Sequence, residues 1–215
     1  LEQTRLVHMW RPHLAAMQMR LVPLGWSGSI EVCSALDGSV INDLVARYRD
    51  LSQRHLAPRR TRVVDADSIA LEMETNDSHI QVAQAVSTRL FREEEQLDVR
   101  PEIDERDDYI GQHFVLEVQA DTPVLVEKTM AIYTSRDRAI YTPLLAARNS
   151  LAAMPRFRAL SSEQARAWAQ LWRRFVFDIR HADGSTAQRT ARILRLHLFH
   201  LLQTTSIANM DLDAG

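Results

Sequence analysis

The sequence predicts a mainly β protein, an antiparallel β-sandwich followed by helices. Three observations support this. Apolar residues recur with a period of two from Arg5 to about Arg138. Gly- and Pro-centred turn signals punctuate those runs at strand-length intervals. Beyond them the period changes to that of amphipathic helices.

Taken in order, HLAAMQMRLVPL and GSIEVCSAL read as a strand pair joined around PLGWSG, where Pro23, Gly25 and Gly28 supply turn chemistry. Asp37-Gly38 is a further turn signal. NDLVARYRDL is ambiguous between helix and strand. In SIALEMETN, Ile69, Leu71 and Met73 alternate with Ala70, Glu72 and Glu74. HIQVAQAVSTRLF repeats the pattern with Ile80, Val82, Val86 and Leu90. In HFVLEVQAD, Phe114, Leu116, Val118 and Ala120 share one face, and Glu117, Gln119 and Asp121 take the other. This is the signature of half-buried antiparallel strands.

After TSRDRAIYTPLLAA the helices begin. Ser161 with Gln164 forms a capping-box pattern, and Trp168, Leu171, Trp172 and Phe175 follow at helical spacing. Ser185 with Gln188 opens a second helix, on which Ala191, Leu194, Leu198 and Leu201 form a stripe flanked by Ile193, His197 and His200. A helix apolar around so much of its circumference calls for a larger helical body. The chain is therefore expected to be a fragment, with the partner of this helix downstream and an earlier part of the pattern ahead of Leu1.

Composition narrows the function. With 215 residues, 46% hydrophobic and 25% charged, the chain is that of an ordinary soluble globular protein. A net charge of −2 gives no electrostatic footprint for nucleic acid or an acidic membrane. All but one of the 26 basic residues are arginine, scattered among acids, and Lys128 is the single lysine. One cysteine, Cys33, rules out an internal disulfide framework. No run reaches the roughly 18 apolar residues of a membrane span, and the start has no secretory pattern. The expected compartment is the cytoplasm.

Candidate chemistry is sparse. The acidic run FREEEQLDVRPEIDERDDY lacks calcium-loop spacing and reads as a solvated inter-strand loop. The tail DLDAG is too short for an EF-hand and reads as loop. His197 and His200 could share a metal, but no third ligand or HExxH accompanies them, so no metal site is assigned. Cys33, in a strand with no adjacent histidine, reads as a buried inert thiol. The Trp168/Trp172/Phe175 stripe suits stacking on sugar rings but reads better as core. There is no Gly-rich phosphate loop and no G-x-S-x-G. A mutarotase-like enzyme would need a His/Glu pair on a concave sheet face, and neither His79 nor His113 supplies one by sequence alone.

Three segments go further. HLAAMQMRLVPLGWSGSIEVCSALDGSVIN, VEKTMAIYTSRD and LRLHLFHLLQT, in that order, resemble glycoside hydrolase family 65. Pro23 to Gly38 is similar to the family's proline, small-residue turn, strand and S-x-L-D-G. Lys128 to Asp137 is similar to its lysine-led strand ending in T-S-R-D, and Leu198 to Thr204 to the first helix of its barrel. The resemblance implies a galactose-mutarotase-like supersandwich at residues 1–140, a helical linker at 141–182, and the start of an (α/α)6 barrel at 183–215. It implies a parent that is an inverting disaccharide phosphorylase, with inorganic phosphate as co-substrate, an α-linked glucose disaccharide as substrate and no cofactor, or else a trehalase-type hydrolase. The family's catalytic glutamate lies deeper in the barrel, so no catalytic residue is assigned to this chain and its role would be to support the barrel. His200 and Gln203, at the end of the barrel helix, are the residues placed near a sugar. A homodimer is a further expected partner, and a stand-alone carbohydrate-binding module is the alternative reading.

Overall fold

A computed structural model describes residues 1–41, 53–138, 142–176, 179–180 and 183–204. The ambiguous segment 42–51 and the acidic tail 211–215 lie outside the described residues. Among the described residues, ten strands precede three helices. The strands are β1 (Glu2–Val7), β2 (Leu14–Leu21), β3 (Gly28–Asp37), β4 (Leu56–Val63), β5 (Ser68–Thr75), β6 (Gln81–Arg92), β7 (Glu95–Gln96), β8 (Glu102–Arg106), β9 (Tyr109–Val118) and β10 (Val124–Thr134). The helices are α1 (Pro143–Ala152), α2 (Phe157–Trp172) and α3 (Gly184–Thr204). Two units result, Leu1–Ser161 and Ser162–Gly215. No helix among the described residues is long and apolar enough to cross a membrane.

In the first unit, a large sheet runs β1-β2-β10-β6-β5-β4 with β7 beside β6, and a small sheet runs β3-β9-β8. All pairings are antiparallel. The two sheets close on the apolar sets read from the alternation. Val32, Phe114, Leu116 and Val118 of the small sheet meet Leu90, Val124 and Val126 of the large one. Beside them Leu36 and Ile110 meet Ile69, Leu71, Met73 and Val86. A polar belt crosses between these clusters. Ser34 and Thr88 share a hydrogen bond of 2.7 Å, and Lys128 Nζ donates to the Ala35 carbonyl at 2.9 Å. Burial holds the Lys128 ammonium below its ordinary pKa.

The expected pairing around PLGWSG does not form. β2 and β3 lie in different sheets. The turn chemistry is used to cross between sheets instead. Gly25 adopts φ +70°, which an L side chain would strain, and its N–H donates to Asp121 Oδ1 at 3.3 Å. The Asp121 N–H donates to the Pro23 carbonyl at 2.7 Å, and the Ala120 N–H to Ser27 Oγ at 2.8 Å. The β2–β3 and β9–β10 connections therefore run side by side as two arches from one sheet to the other. Ala120, expected on the inner face, sits exposed in the second arch.

The acidic run is likewise not a single loop. It contains β7 and β8, and Ile103 turns inward against the core while its acidic neighbours stay at the surface. On the back of the large sheet, α1 packs on Leu14, Ala70, Ala83, Ala85 and Ala131 through Leu144, Ala147 and Leu151. Small side chains on the strands let the helix approach closely.

In the second unit, Trp168 stacks on Trp172 with centroids 6.1 Å apart and meets Phe199 of α3 at 4.9 Å, so the aromatic stripe is packing. Phe175 falls beyond the end of α2. Neither helix opens where the capping-box patterns placed it. Ser161 lies inside α2, whose start is set four residues earlier, at Phe157, by the Glu127 carboxylate. The N-cap of α3 is Asp183, not Ser185. Its carboxylate accepts from the Ser185 N–H at 3.0 Å and from the Thr186 hydroxyl at 2.7 Å. These bonds, the Thr186 hydroxyl's foremost, lower the Asp183 pKa to about 2. Because the folded value lies below the ordinary 3.8, the cap contributes fully above about pH 4 and fades as pH falls through 2. Asp183→Ala is expected to fray the first turn of α3. Its deficit in helical circular dichroism should be constant above about pH 4 and vanish in stronger acid; a deficit that ignores pH would contradict the cap.

Candidate functional site

A buried polar junction of the first unit is built around Glu127. The glutamate sits in the middle of β10 on the back of the large sheet and is only 2% exposed. A buried carboxylate is costly unless its oxygens are satisfied. Oε1 accepts from Arg156 Nη2 at 3.0 Å and from Gln18 Nε2 at 3.2 Å, and Oε2 accepts from the Phe157 backbone N–H at 3.1 Å. Phe157 is the first residue of α2, so the strand's carboxylate occupies the anion-favouring end of that helix. Arg156 is fixed from three sides. Its guanidinium lies 3.8 Å over the Phe91 ring, and Nη1 reaches Glu94 at 2.6 Å. Below it, Phe157 and Leu160 pack on Ala16 of β2. The sandwich thus holds the first turn of α2 with a carboxylate, a guanidinium and an apolar plug.

The outer face of the small sheet holds a second cluster. β3 and β9 pair in a register that sets Cys33 opposite His113 and Asp37 opposite Tyr109. Cys33 is exposed, not buried as expected, and its Sγ lies 3.9 Å from both His113 Nε2 and Tyr109 Oη. Glu31 holds His113 through Nδ1 at 2.5 Å, leaving Nε2 toward the thiol. Tyr109 lies across Gly111, where an added Cβ would come within 2.7 Å of its hydroxyl. Desolvation first, and then the thiol, raise the Tyr109 pKa above the ordinary phenol value, and Arg106 covers its ring at 4.2 Å. Sequence inspection missed this His/Glu pair because its members lie 82 positions apart and meet only through strand register.

His200 and Gln203 both lie on α3 with exposed side chains, and the His200 ring meets Phe199 edge-on at 5.7 Å. His197 is exposed on the same helix. Among the described residues, no three His, Cys, Asp or Glu side chains are placed to hold a metal ion.

Comparison with known proteins agrees with this architecture. Residues 1–171 match the profile described as the glycosyl hydrolase family 65 N-terminal domain. Two uncharacterized glycosyl hydrolases from two strains of Mycobacterium tuberculosis are each 39% identical over 214 residues, covering 99% of this chain. The chain spans 16% of the length of those relatives. A solved structure from the human microbiome, named as a kojibiose phosphorylase, matches with a TM-score of 0.57 and 13% identity over 74% of this chain and 20% of its own. That likeness extends to the fold. The chain belongs to glycosyl hydrolase family 65, in the family's N-terminal domain.

Proposed function

We propose that this chain is the non-catalytic N-terminal portion of an inverting α-glucoside phosphorylase, in which the sandwich supports a catalytic (α/α)6 barrel carried by the same polypeptide. The observation behind the supporting role is the Glu127 junction. A buried carboxylate inside a sandwich strand is spent on fixing the start of a helix that leads out of the sandwich. Such a group stabilises the sandwich poorly, since a well-packed apolar residue does as well at the same site. Its use is to fix where α2 begins.

The phosphorylase reading draws on the family and on the name of the structural relative. In this reading a carboxylic acid of the barrel protonates the glycosidic oxygen while phosphate attacks the anomeric carbon from the opposite face, releasing β-glucose 1-phosphate. His200 and Gln203 would stand at the sugar end of the barrel's first helix, and the protein would work as a cytoplasmic homodimer. The test is turnover. The full-length protein, given phosphate with maltose, trehalose, kojibiose or nigerose, is expected to release β-glucose 1-phosphate from at least one of them, and the 215-residue chain from none. Glucose release that is indifferent to phosphate would replace phosphorolysis with hydrolysis, and turnover by the chain alone would overturn the supporting role.

A further inference from the structure

On the outer face of the small sheet, the register of β3, β9 and β8 sets Cys33, His113 and Glu102 in one row. Cys33 is the sole cysteine of the chain and is exposed. Its Sγ lies 3.9 Å from His113 Nε2, and His113 Nδ1 lies 2.5 Å from Glu31 Oε1. We propose that Cys33 is a modification site, a nucleophilic thiol that forms a mixed disulfide with a small cationic disulfide.

The arrangement has the parts of an activated nucleophile: a thiol, a base within reach, and a third group that orients the base. A carboxylate only accepts, so Nδ1 carries the ring proton toward Glu31, and Nε2 offers its lone pair to the thiol. When the thiol proton passes to Nε2, the charge on His113 falls beside Glu31 and opposite Glu102. The sulfur anion is also met by Tyr109 Oη, at 3.9 Å. Burial first, and then the thiol, hold the Tyr109 pKa above its ordinary value, so the phenol keeps its proton at neutral pH and can donate it to a hydrogen bond.

Thiol–disulfide exchange needs a thiolate and an open line of approach. The His113–Glu31 pair serves the first and the exposure of Cys33 the second. The Cys33 sulfur attacks one sulfur of the disulfide as the old S–S bond breaks. The expelled half leaves as a thiolate and takes the proton from Nε2. Cys33 ends as a mixed disulfide and the departing half is reduced to a thiol, so no other oxidant is needed. The charge of the partner follows from the ladder. Asp104 stands opposite Gly111 and Asp37 opposite Tyr109, on the face that holds Glu31 and Glu102. These carboxylates outnumber the Arg106 guanidinium beside them, and so draw a cation and repel an anion.

The site is separate from the phosphorylase reading and survives its failure. The full-length protein is treated with cystamine, or with oxidised glutathione in a parallel arm, and the mixed disulfide on the Cys33 peptide is followed by mass spectrometry. A synthetic peptide of residues 28–37 supplies the reference thiol. At about pH 7, Cys33 in the protein should react with cystamine about tenfold faster than the peptide does. His113→Gln should lose that gain, and Glu31→Gln, at a side chain 58% exposed, should lose about threefold. Both should regain the wild-type rate by about pH 10, where the thiol ionises without a base. A merely structural defect would slow them at every pH. Relative to the peptide, cystamine should be favoured over oxidised glutathione about threefold, with the preference shrinking at high salt. Reaction no faster than the peptide's overturns the proposal. So do variants that match the wild type at neutral pH, variants that stay slow in alkali, and the absence of any preference for cystamine.

Discussion

Glu127→Ala is expected to destabilise the sandwich unit by about 2–4 kcal/mol and to release the first turn of α2. Breaking a buried charge pair from one side typically costs about 3–5 kcal/mol, because the remaining partner keeps its desolvation cost. The lower figure applies because Arg156 retains Glu94, its stack on Phe91 and some solvent access. Three donors lose their acceptor at once: Arg156 Nη2, Gln18 Nε2 and the Phe157 N–H. For a chain of this length the change corresponds to a fall in Tm of roughly 4–16 °C. Glu127→Gln separates charge from shape. Its amide can accept on one side only and must turn an NH2 toward either Arg156 or the Phe157 N–H. Two measurements check the assignment. Hydrogen exchange at the Phe157 amide should accelerate in both variants, and Arg156→Ala should cost less in the Glu127→Ala background than in the wild type. Unaltered exchange at Phe157 would show that the helix start does not depend on the carboxylate.

The same residue shows where the sequence stops being legible. A helix start can be read from local capping patterns only when the cap is local. The Ser161/Gln164 pattern is genuine chemistry, yet α2 starts at Phe157 because a carboxylate 30 residues earlier satisfies that N–H. At α3 the cap is local, and the expectation missed it by two residues, with Asp183 outcompeting Ser185. Strand faces were legible wherever large apolar residues alternate, as in Ile69, Leu71 and Met73, or Phe114, Leu116 and Val118. The back of the large sheet was not. Ala70, Ala83, Ala85 and Ala131 are as deeply buried as the large residues, under α1, but alanine is common on exposed strand faces too and gives little periodic signal.

Strand pairing was illegible for a different reason. Proline and glycine in PLGWSG permit a reversal of direction, but whether that reversal closes a hairpin or arches between sheets depends on Asp121 and Ser27, contacts across nearly a hundred residues. The Cys33–His113–Glu31 cluster shares this origin. It is assembled from strands distant in sequence, so it has no spacing to read.

Phe114→Ala tests the sandwich itself and should cost about 3–5 kcal/mol, the range for deleting a fully buried aromatic ring. Phe114 is 1% exposed and sits where the two sheets meet, among Val32, Leu90, Val124 and Val126. Strands within packed sheets relax poorly around a hole, so the cavity left behind adds to the lost transfer energy. The decisive comparison is one residue along. Val115 points to the outer face of the same strand and is 62% exposed. Val115→Ala should stay within about 0.5 kcal/mol of wild type. The pair shares local backbone, strand and sheet, and differs only in the face presented, so the contrast isolates burial between the sheets. Urea midpoints that fall steeply for Phe114→Ala and hardly at all for Val115→Ala, at equal slope, are the expected result. Should the variant at 114 prove too unstable to purify, Phe114→Leu retains most of the volume and still leaves the ordering intact, with the larger loss at 114. Equal losses at the two positions would mean that the small sheet does not close on the large one, and the two-sheet core would have to be abandoned.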